Sequence, residues 1–182
     1  MSIGKKLLSR LPLRRFARAE DGSATVEFAI TFPAMLFFLL SGVELGFVTL
    51  HHASLERALD MTVRDIRLGT GSAPQHDEIK DLICVRAGFI ENCSANLKLE
   101  MVSMDPFNWT GLDTDADCTD ASEEVAPVRS FVNGQSNELM ILRACAKIDP
   151  IFPTTGLGQN MVKDAAGQYA LVSTSAFVQE PR

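Results

Sequence analysis

The apolar positions of this chain change period twice. Residues 26–50 are almost continuously apolar, and residues 28–43 carry no charge at all. Next come Leu55, Leu59, Val63 and Ile66, spaced by four, four and three, with Glu56, Arg57, Asp60, Arg64, Asp65 and Arg67 filling the other positions. Such spacing marks one buried stripe on a helix. Further on the period falls to two. In residues 96–104, Leu97, Leu99 and Met101 alternate with Lys98 and Glu100, which predicts a half-buried strand. Residues 138–148 and 168–178 read as two more strands, the last with Tyr169, Leu171 and Phe177 on one parity. Between stripe and strands, Asp77 and Glu78 open a short helix whose apolar face is Ile79, Leu82, Ile83 and Ala87, up to Gly88. The fold class this predicts is α+β: a long N-terminal helix, then a small antiparallel sheet domain packed on the helical stem.

The 25 residues 26–50 make a helix of about 37 Å, enough to cross a bilayer with some tilt. Pro33 falls inside it and predicts a kink. Gly42 and Gly46 share one face, where a neighbouring helix could approach, although such spacings are frequent in plain single-pass anchors. Glu44 reads as snorkelling to the outer interface, and His51 and His52 as interface residues. One helix is predicted from about residue 24 to 68, with Gly69 as its C-cap. The domain division expected is 1–22 as a basic leader, 23–50 as a transmembrane helix, 51–71 as a helical stem and 72–182 as an α+β domain.

The formal charge of −6 hides an asymmetry. Residues 1–22 hold six bases against two acids, a net +4, and the remaining 160 hold 11 bases against 21 acids, a net −10. The acidic body argues against nucleic-acid binding. The basic start keeps its side of the span cytoplasmic. That stretch is too polar for an ordinary secretory signal, in which the apolar core precedes the cleavage site. Leu7, Leu8, Leu11, Leu13 and Phe16 suit a short amphipathic turn on anionic lipid, or a tail that only sets orientation.

A basic leader, then Gly22-Ser23-Ala24-Thr25-Val26-Glu27-Phe28 running into an apolar helix, resembles the type IV prepilin cleavage region. Within that group it is most similar to the TadE-like minor pilins of the tight-adherence (Tad) pilus. Residues 53–69 resemble the family's extended helix, and Phe177-Val178-Gln179-Glu180-Pro181 its ending. The likeness is good over 18–69 and poor in the middle of the chain. The resemblance implies a minor pilin or pseudopilin, structural or assembly-related and not an enzyme, cut by a prepilin peptidase between Gly22 and Ser23. It implies a single-pass protein of the bacterial inner membrane, N-terminus cytoplasmic and C-terminal domain periplasmic, available for incorporation into a surface pilus that serves cell adhesion. The implied partners are other Tad pilins, the assembly platform, the peptidase and the lipid bilayer; no cofactor is implied. Glu27, fifth in the mature chain, would be the assembly residue.

Cys84, Cys93, Cys118 and Cys145 all follow the span, on the oxidising side, where an even count favours two disulfides. Four cysteines allow three connectivities; Cys84–Cys93 with Cys118–Cys145 is preferred, since the first closes a short loop and the second ties the acidic loop to a strand. Zinc is disfavoured because Cys-x-x-Cys is absent. Asp113, Asp115, Asp117 and Glu124 carry a superficial calcium-loop spacing, but Cys118 stands where that loop needs Gly, so a solvated acidic loop is expected. His76 beside Asp77 and Glu78 fits a helix start rather than a catalytic dyad, and no catalytic motif occurs. Two rival readings remain at this level: a membrane-anchored periplasmic protein that binds metal or a small ligand, and a minor pseudopilin of a secretion system.

Overall fold

A computed structural model describes residues 23–68, 74–108, 113, 115–119 and 131–181. Helix α1 (Ser23–Leu68) is followed by α2 (His76–Ala87), α3 (Cys93–Asn96), β1 (Leu97–Met104), β2 (Leu139–Ile148), α4 (Gly156–Asn160) and β3 (Tyr169–Val178). The class is α+β, as the periodicities predict. The chain falls into two compact units divided after Leu39.

In the first unit, residues 24–39 of α1 are exposed throughout. The helix assignment continues through Pro33, whose missing N–H removes one rung of the ladder. Two residues earlier, the Thr31 hydroxyl donates to the Glu27 carbonyl at 2.8 Å. The most apolar 18-residue window of α1 has a mean hydropathy of 1.9 and none of it is buried, so the helix is long and apolar enough to cross a membrane.

In the second unit, β1, β2 and β3 form one antiparallel sheet in that order. The register puts Leu99 opposite Ala144 and Met140 opposite Phe177, so alternate residues of all three strands share one face. That face meets the stripe of α1 (Leu55, Leu59, Val63, Ile66) and, from α2, Ile79, Ile83 and Ala87 in a single core. Leu82 does not join them: it is exposed, one position off the buried face. Helix α2 starts with Glu78 accepting from the Gln75 N–H at 3.0 Å and ends on Gly88, whose φ of +70° closes it in the left-handed region.

Strand β3 runs in the same direction as α1. His52 Nε2 lies 3.2 Å from the Val172 carbonyl, the Ser175 hydroxyl reaches Asp60 at 3.3 Å, and Gln179 Nε2 donates to the Ile66 carbonyl at 3.2 Å. The sheet therefore has a foot, at Ile148 and Tyr169 near residue 52 of α1, and a head, at Leu139 and Val178 near residue 66.

Candidate functional site

Three places hold the chemistry. The first is the start of α1. Ser23 is the first described residue of α1; Gly22 and the rest of the basic leader lie outside the described residues. Glu27 sits on the exposed first turns of the helix. Gly42 and Gly46 have open space where a Cβ would project, which leaves that face of α1 uncovered by the domain.

The second is the foot of the sheet, and here an expectation is corrected. Glu44 does not snorkel; it is 1% exposed. Its Oε1 accepts from the Ile151 N–H at 3.1 Å and its Oε2 from the Phe152 N–H at 2.9 Å. Two charge-assisted bonds to a turn that must otherwise bury its amides explain why a carboxylate is kept there. One helical turn earlier, Ser41 packs under Gly156: a Cβ on Gly156 would lie 2.5 Å from the Ser41 hydroxyl oxygen, and its φ of +55° also favours glycine. His51 stacks on Phe89, ring centres 4.5 Å apart and nearly parallel. Burial, and after it the charges of Glu44 and Asp149, push the Tyr169 phenol up to about 12. Nearby, Lys147 pairs with Asp164 at 2.9 Å. Burial pushes that carboxyl up, but hydrogen bonds from Lys147 and the Gln168 N–H outweigh it and hold Asp164 below its ordinary range.

The third is the outer face of the sheet, where the half-buried strand is also corrected. Lys98 is 4% exposed and pairs with Asp117 at 2.9 Å. Arg143 pairs with Glu100 and donates to the Asp113 carbonyl at 2.7 Å and the Asp115 carbonyl at 3.3 Å. The described part of the acidic loop, 113 and 115–119, thus lies against the polar side of β1 and β2, with Lys98 and Arg143 held among its oxygens while Asp113 and Asp115 stay exposed. Glu124 lies outside the described residues, and among those described no three His, Cys, Asp or Glu gather to hold a metal ion. The structure brings Cys118 to Cys145 (Cα–Cα 5.3 Å), fastening this loop to β2, and Cys84 to Cys93 (Cα–Cα 5.7 Å), fastening α2 to α3. His76 Nδ1 lies 2.8 Å from the exposed Asp77 carboxylate at the start of α2, and that hydrogen bond pulls the Asp77 carboxyl down.

Sequence reasoning missed the Glu44 and Lys98 contacts. For Glu44 a signal was present: it lies four residues before Val48, on the line that continues to Leu55 and Leu59. An acid on the buried line of an apolar helix needs a partner.

No curated protein and no solved structure matches the chain. Residues 22–64, which take in Ser23, Glu27, Glu44 and most of the stem, match the model of the family described as TadE-like protein, and over this segment the chain is similar to that family, consistent with a TadE-like component of a Tad pilus.

Proposed function

We propose that the chain is a minor pilin or pseudopilin of a Tad-type pilus, a structural or assembly component without catalysis of its own. In this reading α1 anchors it once in the bacterial inner membrane, with residues 1–22 in the cytoplasm and the disulfide-bonded domain in the periplasm. A prepilin peptidase removes the leader after Gly22, and Glu27 then serves assembly with other pilins on the pilus platform.

The observation that carries this reading is the TadE-like match, from residue 22 onward, falling on a helix that is apolar and exposed over residues 24–39. Two further features support it. The +4 charge ahead of the span orients it with the leader inside. Two disulfides beyond the span suit an oxidising compartment. Sequencing the N-terminus of protein extracted from membranes of cells with active prepilin peptidase tests it. A chain beginning at Ser23 supports the proposal; one beginning at Met1 or Ser2 refutes it.

A further inference from the structure

We infer that the segment 150–162, between β2 and β3, lies in the outer lipid–water interface of the bilayer that α1 crosses, so that the C-terminal domain carries a second membrane contact of its own. The inference rests on the single-pass reading above and adds a lipid-binding surface to it.

Helix length gives the depth. Glu44 comes 17 residues after Glu27, about 26 Å of helix rise. The hydrocarbon layer is about 30 Å thick, and tilt only shortens the climb. With Glu27 at the inner boundary, Glu44 therefore stands at the outer edge of the hydrocarbon. Glu44 is there bonded to the amides of Ile151 and Phe152, and Ser41, lower still, touches Gly156. Whatever is fastened to those two residues shares their depth.

The segment is built for that place. Residues 150–162 contain no charged side chain, although the chain after residue 22 carries a net −10. Val162 is 94% exposed and Ile151 43%. Backbone groups in lipid must be satisfied within the protein. Here Glu44 takes two amides, the Thr155 N–H bonds the Phe152 carbonyl at 3.3 Å, and Asn160 Nδ2 reaches the Gly156 carbonyl at 2.8 Å. The Lys163 ammonium caps the Pro153 and Gly158 carbonyls at 3.1 and 2.7 Å, at the rim where a cation meets anionic headgroups.

Quenching by brominated lipid tests this on the full chain. In a Trp109→Phe background, single tryptophans are placed at Val162, at Phe38 on the exposed helix, and at Phe107, which is 98% exposed beyond the head end of the sheet. Each protein is reconstituted into phosphatidylcholine–phosphatidylglycerol vesicles with bromines high on the acyl chains. The expected result is at least twofold quenching for V162W and F38W and none for F107W. Quenching of F38W with V162W no more quenched than F107W overturns the inference and leaves the anchor standing. A V162W emission that shifts to the blue without quenching means that another protein copy covers the segment, and also overturns it. An unquenched F38W removes the anchor, and the inference with it.

Discussion

Glu44 and Phe152 lie 108 residues apart and are joined by a hydrogen bond of 2.9 Å from the Phe152 amide to the Glu44 carboxylate. Truncating Glu44 leaves two amides of a tight turn without their acceptor. Glu44→Ala is expected to cost about 3 kcal/mol of domain stability, and Glu44→Gln, which keeps one acceptor oxygen, about 1 kcal/mol. Thermal unfolding in detergent, followed by near-ultraviolet circular dichroism, measures both. Equal losses would mean that the carboxylate matters for its charge or size rather than as a double acceptor.

Lys98 and Asp117 form a largely buried pair. Lys98→Met takes the cation from beside a carboxylate that remains shielded from water, with an expected cost of about 3 kcal/mol. Adding Asp117→Asn should recover part of it. A double mutant no more stable than the sum of the two single changes would show that the pair is not coupled.

The two bridges close loops of 9 and 27 residues. The chain-entropy model gives them about 2.5 and about 3.5 kcal/mol. Alkylation without reductant, followed by peptide mass mapping, should recover Cys84 linked to Cys93 and Cys118 linked to Cys145. Any crossed pair, or four alkylated thiols in exported protein, contradicts this.

The Tyr169 phenol is held protonated by burial, its folded pKa raised above its unfolded value of 10.0 to about 12. Its contribution to stability is fully present below pH 10 and is lost as pH rises toward 12. Unfolding midpoints taken between pH 9 and 12 should fall more steeply in the wild type than in Tyr169→Phe. Parallel curves would exclude Tyr169 as the source of the loss.

Glu27 stands four residues beyond Ser23, about 6 Å along the helix axis. In the reading proposed above Ser23 becomes an N-terminus, and its amine, with an ordinary pKa of about 8, would be largely protonated at neutral pH. The carboxylate can pair with that amine within one chain or on a neighbour. Glu27→Ala is expected to leave insertion, cleavage and disulfides intact and to lower co-purification with partner pilins several-fold. Normal co-purification would reduce Glu27 to a favourable charge at the positive end of its own helix.

The long elements, α1, α2 and the three strands, were legible because each declares its period over eight residues or more, whereas α3 and α4, four and five residues long, carry no period to read. The 3.6-residue stripe of Leu55, Leu59, Val63 and Ile66 and the alternations in the three strands are core positions in the structure. What stayed hidden depends on segments that meet only after folding. Lys98 and Glu100 look solvent-facing because the loop that covers them carries no period of its own. Glu44 looks like an acid that reaches for water because its partners are backbone amides, which any sequence could supply. Leu82 fits the apolar face of α2 by spacing alone, but the buried line there runs through Ile79 and Ile83 and passes it by.

The parallel course of α1 and β3 has a mechanical consequence. The ties from His52 to Val172, Asp60 to Ser175 and Ile66 to Gln179 are spread from Val172 to just past the end of the strand. Tension along the helix axis therefore loads them together, in shear, instead of unzipping them one by one. The Glu44 clamp takes the same load at the lower end, and the sheet behind β3 is stitched by Cys145 to Cys118. A pull on α1 is shared by the whole domain before any single bond must give.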